Sequence, residues 1–458
     1  MLIRFNVKNF LPFNERPEGQ SEEFSMIAGK SRQKKEHIFN SGKIKILKFA
    51  AVYGANASGK SSLVQAISFM RQTIVDRLPD GYSEMYCKTD LTNGDKVTYF
   101  ETEIFLDGKY YSYGFEVILK QGKFLSEWLV ELTENTEKKV FVRDIKNKVF
   151  EFGSRFQSGK LGDRLAIYSA DIKSDDSVLF LYAMNRNKKD FYESEPSARI
   201  FQDIFLWFKD KLTIIFPDDI VTDYSSAFQT DRINDVTKLL NAFGTGILDC
   251  KLVDVEFEKF LQKISDSWRN VMIKTIEEAK VKVNRGDSKG VTAVLRSEDE
   301  LFIITVEKNQ PLICKKVQFI HNRNGISFSL SEESDGTVRL LDLLEILLND
   351  QQKVYVIDEL DRCLHPMLSR KFVQIYLDLA KERNNQCIVT THESRLIDLK
   401  LLRRDEIWFV EKNPEGQAKI YSLEEYNTRF DTKVDKAYLD GRYGGIPIFS
   451  KQFPFKGA

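Results

Sequence analysis

The stretch Gly54-Ala-Asn-Ala-Ser-Gly-Lys-Ser61 decides the fold. It fits GxxxxGK[ST], a pattern whose chemistry requires a strand before it and a helix after it. Both flanks comply. LKFAAVY (47–53) is a short apolar run of buried-strand character, and SGKSSLVQAISFMRQTIVDRL continues with helical spacing. In that setting the glycines let backbone N–H groups wrap a β-phosphate at the positive end of the helix. Lys60 would reach the β- and γ-phosphates, and the Ser61 hydroxyl would ligate Mg²⁺. Gly54, Asn56, Ser58, Gly59 and Ser62 complete the expected nucleotide contacts, with ATP as the nucleotide.

Two more strand ends fall into line with this loop. VYVIDEL (354–360) is an apolar strand that delivers Asp358 at its end, where a carboxylate can hold a Mg²⁺ shell. Glu359, one residue on, can polarise an attacking water. QCIVTTHESRL (386–396) ends at Thr390, Thr391 and His392, and a histidine there can contact a γ-phosphate and the water. Upstream, Ser334-Asp335-Gly336 opens the apolar run TVRLLDLLEILL, 22 residues ahead of Asp358. A helix cap explains the Ser and Asp equally well, but not the spacing.

Composition narrows the partners. Lys+Arg and Asp+Glu both number 68 in 458 residues, so no global charge draws the chain to nucleic acid. The basic loop KSRQKK (30–35) reads as a solvated charge run, with nucleotide or nucleic-acid contact as the alternative. Five scattered cysteines (87, 250, 314, 363, 387) without a CxxC pair argue for reduced thiols and against a zinc site. With no signal-peptide layout and no apolar run near ~20 residues, the expectation is a cytoplasmic protein without a membrane span.

Along the chain, residues 1–185 read as the first half of an α/β domain, with LIRFNVKNF and EEFSMIAG as strands and a β-meander over 97–152 turning at Asp107-Gly108. Residues 186–300 read as a mainly helical insertion, with amphipathic segments such as IFQDIFLWFKDKL and EFEKFLQKISDSWRNVMIKTIEEAKVKV. Strand character returns at AVLRS (293–297) and LFIITVEK (301–308), and residues 301–458 then alternate helix and strand through the motifs above. Asn187-Lys188-Lys189-Asp190 fits the guanine-reading NKxD pattern, but no DxxG lies between it and the phosphate loop, so it reads as a charged loop.

Together YGANASGKSSL, ESDGTVRLL, DELDRCLHP, VTTHESRL, IWFVEK and AYLDGRYGGIP resemble the ABC-type "AAA" ATPases of bacterial anti-phage operons. These are the Septu-, PARIS- and RloB-associated kind, distant cousins of SMC and RecF heads. The resemblance implies an ABC-type P-loop ATPase head, a mixed sheet core plus an antiparallel β-subdomain, with an inserted helical subdomain. It implies that Lys60 and Ser61 bind phosphate and Mg²⁺, Asp358 supports the metal, Glu359 is the general base and His392 the switch. Ser334 and Gly336 would form the signature that contacts the γ-phosphate held by a second copy, and Asp361 would lie in the D-loop crossing that interface.

The partners so implied are a homodimer or higher homo-oligomer joined through ATP, a separate nuclease or toxin effector encoded nearby, and a nucleic-acid or phage-protein trigger. Glu333, Asp335 and Thr337 stand where the transporter LSGGQ consensus has Leu, Gly and Gln, and residues 80–100 hold no Q-loop glutamine. The 66 residues after His392 are too few for the nuclease domain of OLD-type relatives. A RecF- or SMC-like repair or chromosome-maintenance ATPase is the alternative, and a transporter subunit is disfavoured by the long spacing from Lys60 to Ser334.

Overall fold

All three nucleotide motifs are carried by strands of one sheet. The computed structural model describes residues 1–31, 33–219, 232–261, 266–285, 290–296, 300–321, 324–426 and 434–446. Arg32 of the KSRQKK loop, residues 262–265 of the expected helical segment 256–283, Ser297, and Pro447 of the AYLDGRYGGIP motif therefore lie outside the described residues. The chain divides into two units: Met1–Phe216 with Gln352–Leu360 and Ala380–Ala458, and Pro217–Gln351 with Asp361–Leu379.

The first unit holds the central sheet. Its strands are β1 (Phe49–Tyr53), β2 (Leu212–Ile215), β3 (Val354–Ile357), β4 (Gln386–Thr390), β5 (Ile407–Lys412) and β6 (Ala418–Ser422). Their spatial order is β2-β3-β4-β1-β5-β6, parallel throughout except for the antiparallel β5/β6 edge pair. β1, β3 and β4 are buried along their whole length, as strands of a parallel sheet covered on both faces must be. The carboxyl ends of β3, β4 and β1 lie side by side, where open α/β sheets bind ligands.

Helix α1 (Lys60–Val75) follows the loop after β1 and buries Leu63, Val64, Ile67, Phe69, Met70 and Ile74. Its apolar face packs on a seven-stranded antiparallel sheet that contains Leu2–Lys8 and the meander Thr98–Phe152. Phe69 stacks on Phe100 at 5.1 Å, and Phe10 closes the group at 5.0 Å from Phe69. Along Thr98–Ile104 every second residue is buried, the alternation of a sheet with one face on a core. The meander turns at Asp107 (φ 47°) and Gly108 (φ 80°), both left-handed as a two-residue hairpin requires.

The second unit carries an antiparallel sheet of Asp249–Asp254, Ile313–Ile320, Leu301–Glu307 and Gly290–Arg296. The helix Asp266–Asn284 lays Met272, Ile276, Ala279 and Val283 on Phe302, Ile304 and Val306, a spacing that follows one helical face. Two further helices, α2 (Asp335–Leu348) and α3 (Pro366–Leu379), pack on each other in the same unit.

Among its described residues the stretch 186–300 holds the expected helices, the expected strand at Gly290–Arg296, and two further strands, Leu212–Ile215 and Asp249–Asp254. IFQDIFLWFKDKL is α-helical to Leu206 and widens to a π-helix over Trp207–Lys211, which feeds β2. A four-residue strand joined directly to an amphipathic helix extends the same apolar pattern, so periodicity alone cannot separate the two. Gly159–Ile172 forms a further amphipathic helix between the meander and the apolar VLFLYAM segment.

Candidate functional site

Backbone geometry forms the phosphate loop before any side chain enters. Between β1 and α1 the chain takes positive φ at Ala57 (61°) and Gly59 (111°). Gly54 has no room for a side chain, because a Cβ there would stand 2.4 Å from both the Ser58 Oγ and the Val410 carbonyl oxygen. Asn56 and Ala57 are exposed at the loop tip, whereas Ser58, Gly59 and Lys60 are buried and Ser62 lies half-buried on the first turn of α1. The Lys60 ammonium donates to the carbonyls of Gly54 (2.8 Å) and Ala55 (3.0 Å) and lies 3.5 Å from His392 Nδ1.

The neighbouring strand ends converge on the same point. Ser61 Oγ donates to Asp358 Oδ1 at 3.1 Å, and Thr390 Oγ1 donates to the same oxygen at 2.5 Å. The Thr390 hydroxyl also accepts the Glu359 N–H at 2.8 Å, while the Thr390 carbonyl accepts the Leu360 N–H at 2.9 Å. Asp358 is buried at 3% exposure, where a polar group needs hydrogen-bond partners, and these hydroxyls supply them. Glu359 is half-buried and held at φ 49°, a left-handed conformation a non-glycine residue adopts only under constraint.

An alcohol and a buried carboxylate meeting at the mouth of a phosphate loop are the hard-oxygen donors that Mg²⁺ prefers. Ser61 and Asp358 therefore fit the expected metal, and Lys60, with backbone N–H groups around it, fits the phosphates of ATP.

Lys60, Ser61, Asp358, Glu359 and His392 are all in the first unit, while Ser334, Gly336 and Asp361 belong to the second. There Ser334 caps α2, its Oγ accepting the Thr337 N–H at 3.2 Å, and both Ser334 and Asp335 are exposed. Gly336 allows a close approach: a Cβ on it would lie 2.9 Å from the carbonyl oxygen of Cys363, in the turn that begins at Asp361. The turn closes through Leu364 N–H to the Asp361 carbonyl at 3.0 Å. The basic loop is tied rather than loose. Lys34 donates to the Leu399 carbonyl at 2.6 Å and Arg403 to the carbonyls of Ser31 and Gln33.

Thr390 is the residue whose part in the site the motif reading did not single out. It neighbours Asp358 because β4 pairs in parallel with β3, Ile357 opposite Val389. A small hydroxyl at the end of a strand is a signal only once the strand order is known.

A phosphate loop, an Asp-Glu strand end and a histidine strand end on adjacent parallel strands define an ABC-type P-loop ATPase head. The chain belongs to the family described as "AAA domain, putative AbiEii toxin, Type IV TA system", which matches residues 49–398. None of the curated proteins compared with it matches. Among solved structures it is similar to an Smc head bound to the C-winged helix domain of ScpA, at 14% identity over 92% of this chain and 97% of that one, TM-score 0.39. The SMC head domain from Thermotoga maritima is 12% identical over 92% and 98%, TM-score 0.32. An Smc head with an extended coiled coil from Pyrococcus furiosus, bound to the C-terminal domain of ScpA, is 15% identical over 96% and 99%, TM-score 0.34.

Proposed function

We propose that the protein binds ATP with Mg²⁺ at the Lys60 loop, hydrolyses it, and pairs through the bound ATP with a second copy of itself. The pair acts as a sensor or scaffold that restrains or releases a separate effector, a nuclease or toxin, in defence against phage. The carrying observation is the hub at Asp358, where Ser61 and Thr390 hydroxyls meet one buried carboxylate oxygen while Glu359 is fixed beside it. Mg²⁺ at Ser61 and Asp358 would offset phosphate charge. Glu359 takes a proton from the attacking water, Lys60 balances the terminal phosphates, and His392 reports on their presence.

The pairing rests on the second unit. Ser334 presents an exposed cap and Gly336 backs onto the Asp361 turn, so the signature and the D-loop are one packed piece. A ligand felt by one is felt by the other. The family's description names a "putative AbiEii toxin" of a "TA system", a two-member arrangement in which this chain would be one member and the partner encoded nearby the other.

The test is Glu359→Gln, measured by light scattering and nucleotide occupancy with ATP and Mg²⁺. The expected result is an ATP-loaded dimer that does not turn over, co-purifying with the product of a neighbouring gene. Ser334→Arg is expected to stop hydrolysis and leave ATP binding by a single copy intact. Unchanged size and occupancy in Glu359→Gln would remove the general-base assignment; loss of binding in Ser334→Arg would place Ser334 in its own copy's site.

A further inference from the structure

The segment 434–446 touches the nucleotide site from two directions. Its helix α4 (Val434–Leu439) packs on the turn Ser394–Leu396, which follows His392 almost directly. Beyond α4 the chain doubles back through three glycines of positive φ, Gly441 (80°), Gly444 (67°) and Gly445 (67°). That return sets Gly445 on the phosphate loop: a Cβ there would lie 3.5 Å from the Gly54 Cα, 3.7 Å from the Tyr438 ring and 3.8 Å from the Phe409 ring. Gly444 is tighter still, with Glu411 Oε2 at 2.5 Å and the Tyr421 hydroxyl at 2.6 Å from its would-be Cβ.

The contact is fastened by hydrogen bonds and rings. Tyr438 O–H donates to the Gly445 carbonyl at 3.0 Å, and Tyr421 O–H donates to the Tyr443 carbonyl at 2.7 Å. Phe409 lies near-parallel to both Tyr438 (5.5 Å, 22°) and Tyr443 (6.0 Å, 19°). Tyr53, the last residue of β1, meets the Tyr438 ring edge-on at 6.0 Å. Gly54 is therefore clamped. The Val410 carbonyl and Ser58 Oγ bound it on the Cβ side, and Gly445 faces its Cα across a gap that a single added Cβ would fill. The carbonyl of this clamped residue holds the Lys60 ammonium at 2.8 Å, beside that of Ala55 at 3.0 Å.

We infer that Tyr438 and the Gly444-Gly445 return are positioning elements of the ATPase site. They fix Gly54, and through it Lys60, while α4 ties the same segment to the turn after His392. The loop and the switch are thus joined through one strap, and a displacement of the strap reaches both. The effect falls on ATP more than on ADP, because Lys60 reaches both the β- and γ-phosphates of ATP but only the β-phosphate of ADP. This rests on the reading of Lys60 as a phosphate ligand.

The experiment compares wild type, Tyr438→Phe and Gly445→Ala in the full chain, with Tyr192→Phe as a control. Tyr192 is a buried tyrosine whose hydroxyl donates to the Met184 carbonyl at 3.0 Å. ATP and ADP affinities are measured by calorimetry with Mg²⁺, alongside the thermal midpoint. Tyr438→Phe keeps the ring and loses one hydrogen bond, so ATP affinity is expected to fall roughly three- to tenfold while ADP affinity changes by less than about twofold. Gly445→Ala, which forces a side chain into a left-handed position, is expected to shift the ATP-to-ADP ratio in the same direction. Tyr192→Phe should lower the thermal midpoint without moving that ratio. An unchanged ratio in folded Tyr438→Phe, or equal weakening of both nucleotides, overturns the strap. Failure of the wild-type protein to bind ATP would instead overturn the parent reading of Lys60.

Discussion

Thr390 serves two groups with one hydroxyl, as donor to Asp358 and acceptor from the Glu359 N–H. Removing it leaves the Asp358 oxygen with one donor fewer and frees the strained Glu359 backbone to relax. Groups that orient a metal-binding carboxylate typically matter by about 10- to 100-fold in metal affinity or activity. Thr390→Val is therefore expected to raise the Mg²⁺ concentration for half-maximal hydrolysis on that scale, with Thr390→Ser restoring it. A fall in rate with no change in Mg²⁺ dependence would mean the hydroxyl matters only for packing. Lys60, Ser61, Asp358 and Glu359 were legible in the sequence because each motif is contiguous and its flanks announce a strand or a helix. Thr390 was not, since its partner Asp358 stands 32 residues away on the adjoining strand.

At the scale of elements, the meander is joined to the helices that follow it by one buried ion pair. Glu127 and Arg143 are both fully buried, 3.6 Å apart, on neighbouring strands. Arg143 donates to the carbonyls of Ile172, Asp175 and Val178, while Glu127 accepts from the N–H groups of Phe180 and Leu181 and the Tyr113 hydroxyl. The pair thus closes the end of the helix Gly159–Ile172 and starts the next one at Phe180. Burial pushes the Glu127 carboxyl up and the Arg143 guanidinium down. The carboxylate therefore depends on Arg143 and its other donors to stay ionised, and the guanidinium depends on Glu127 and the three carbonyls to offset its burial. Arg143→Met alone should cost about 3–5 kcal/mol of stability, because it strands a buried carboxylate. The double variant with Glu127→Gln should recover part of that in denaturant unfolding; additive losses would show that the two act separately. No local pattern foretold this joint, just as none separated β2 from the helix before it. Both depend on partners far along the chain, whereas the meander itself was readable from its alternation and its Asp-Gly turn.

For the whole molecule the question is whether two copies close on ATP, and Cys363 offers a probe already in place. It is exposed, two residues past Asp361, and its carbonyl is the group that Gly336 approaches. The other four cysteines are buried, and burial pushes the thiols of Cys250 and Cys314 up to about 11 and that of Cys387 higher still. At pH 8 those three are held as thiols, the unreactive form. A soluble alkylating reagent should therefore label Cys363 first in the free protein. If the signature and the Asp361 turn face a second copy's nucleotide, ATP and Mg²⁺ should slow that labelling in Glu359→Gln, because reactivity requires an accessible thiol. Ser334→Arg added to that background should restore the free rate without releasing the nucleotide. Equal labelling of Cys363 with and without ATP would leave the turn facing solvent throughout, and the ATP held by Lys60 would then work within a single copy.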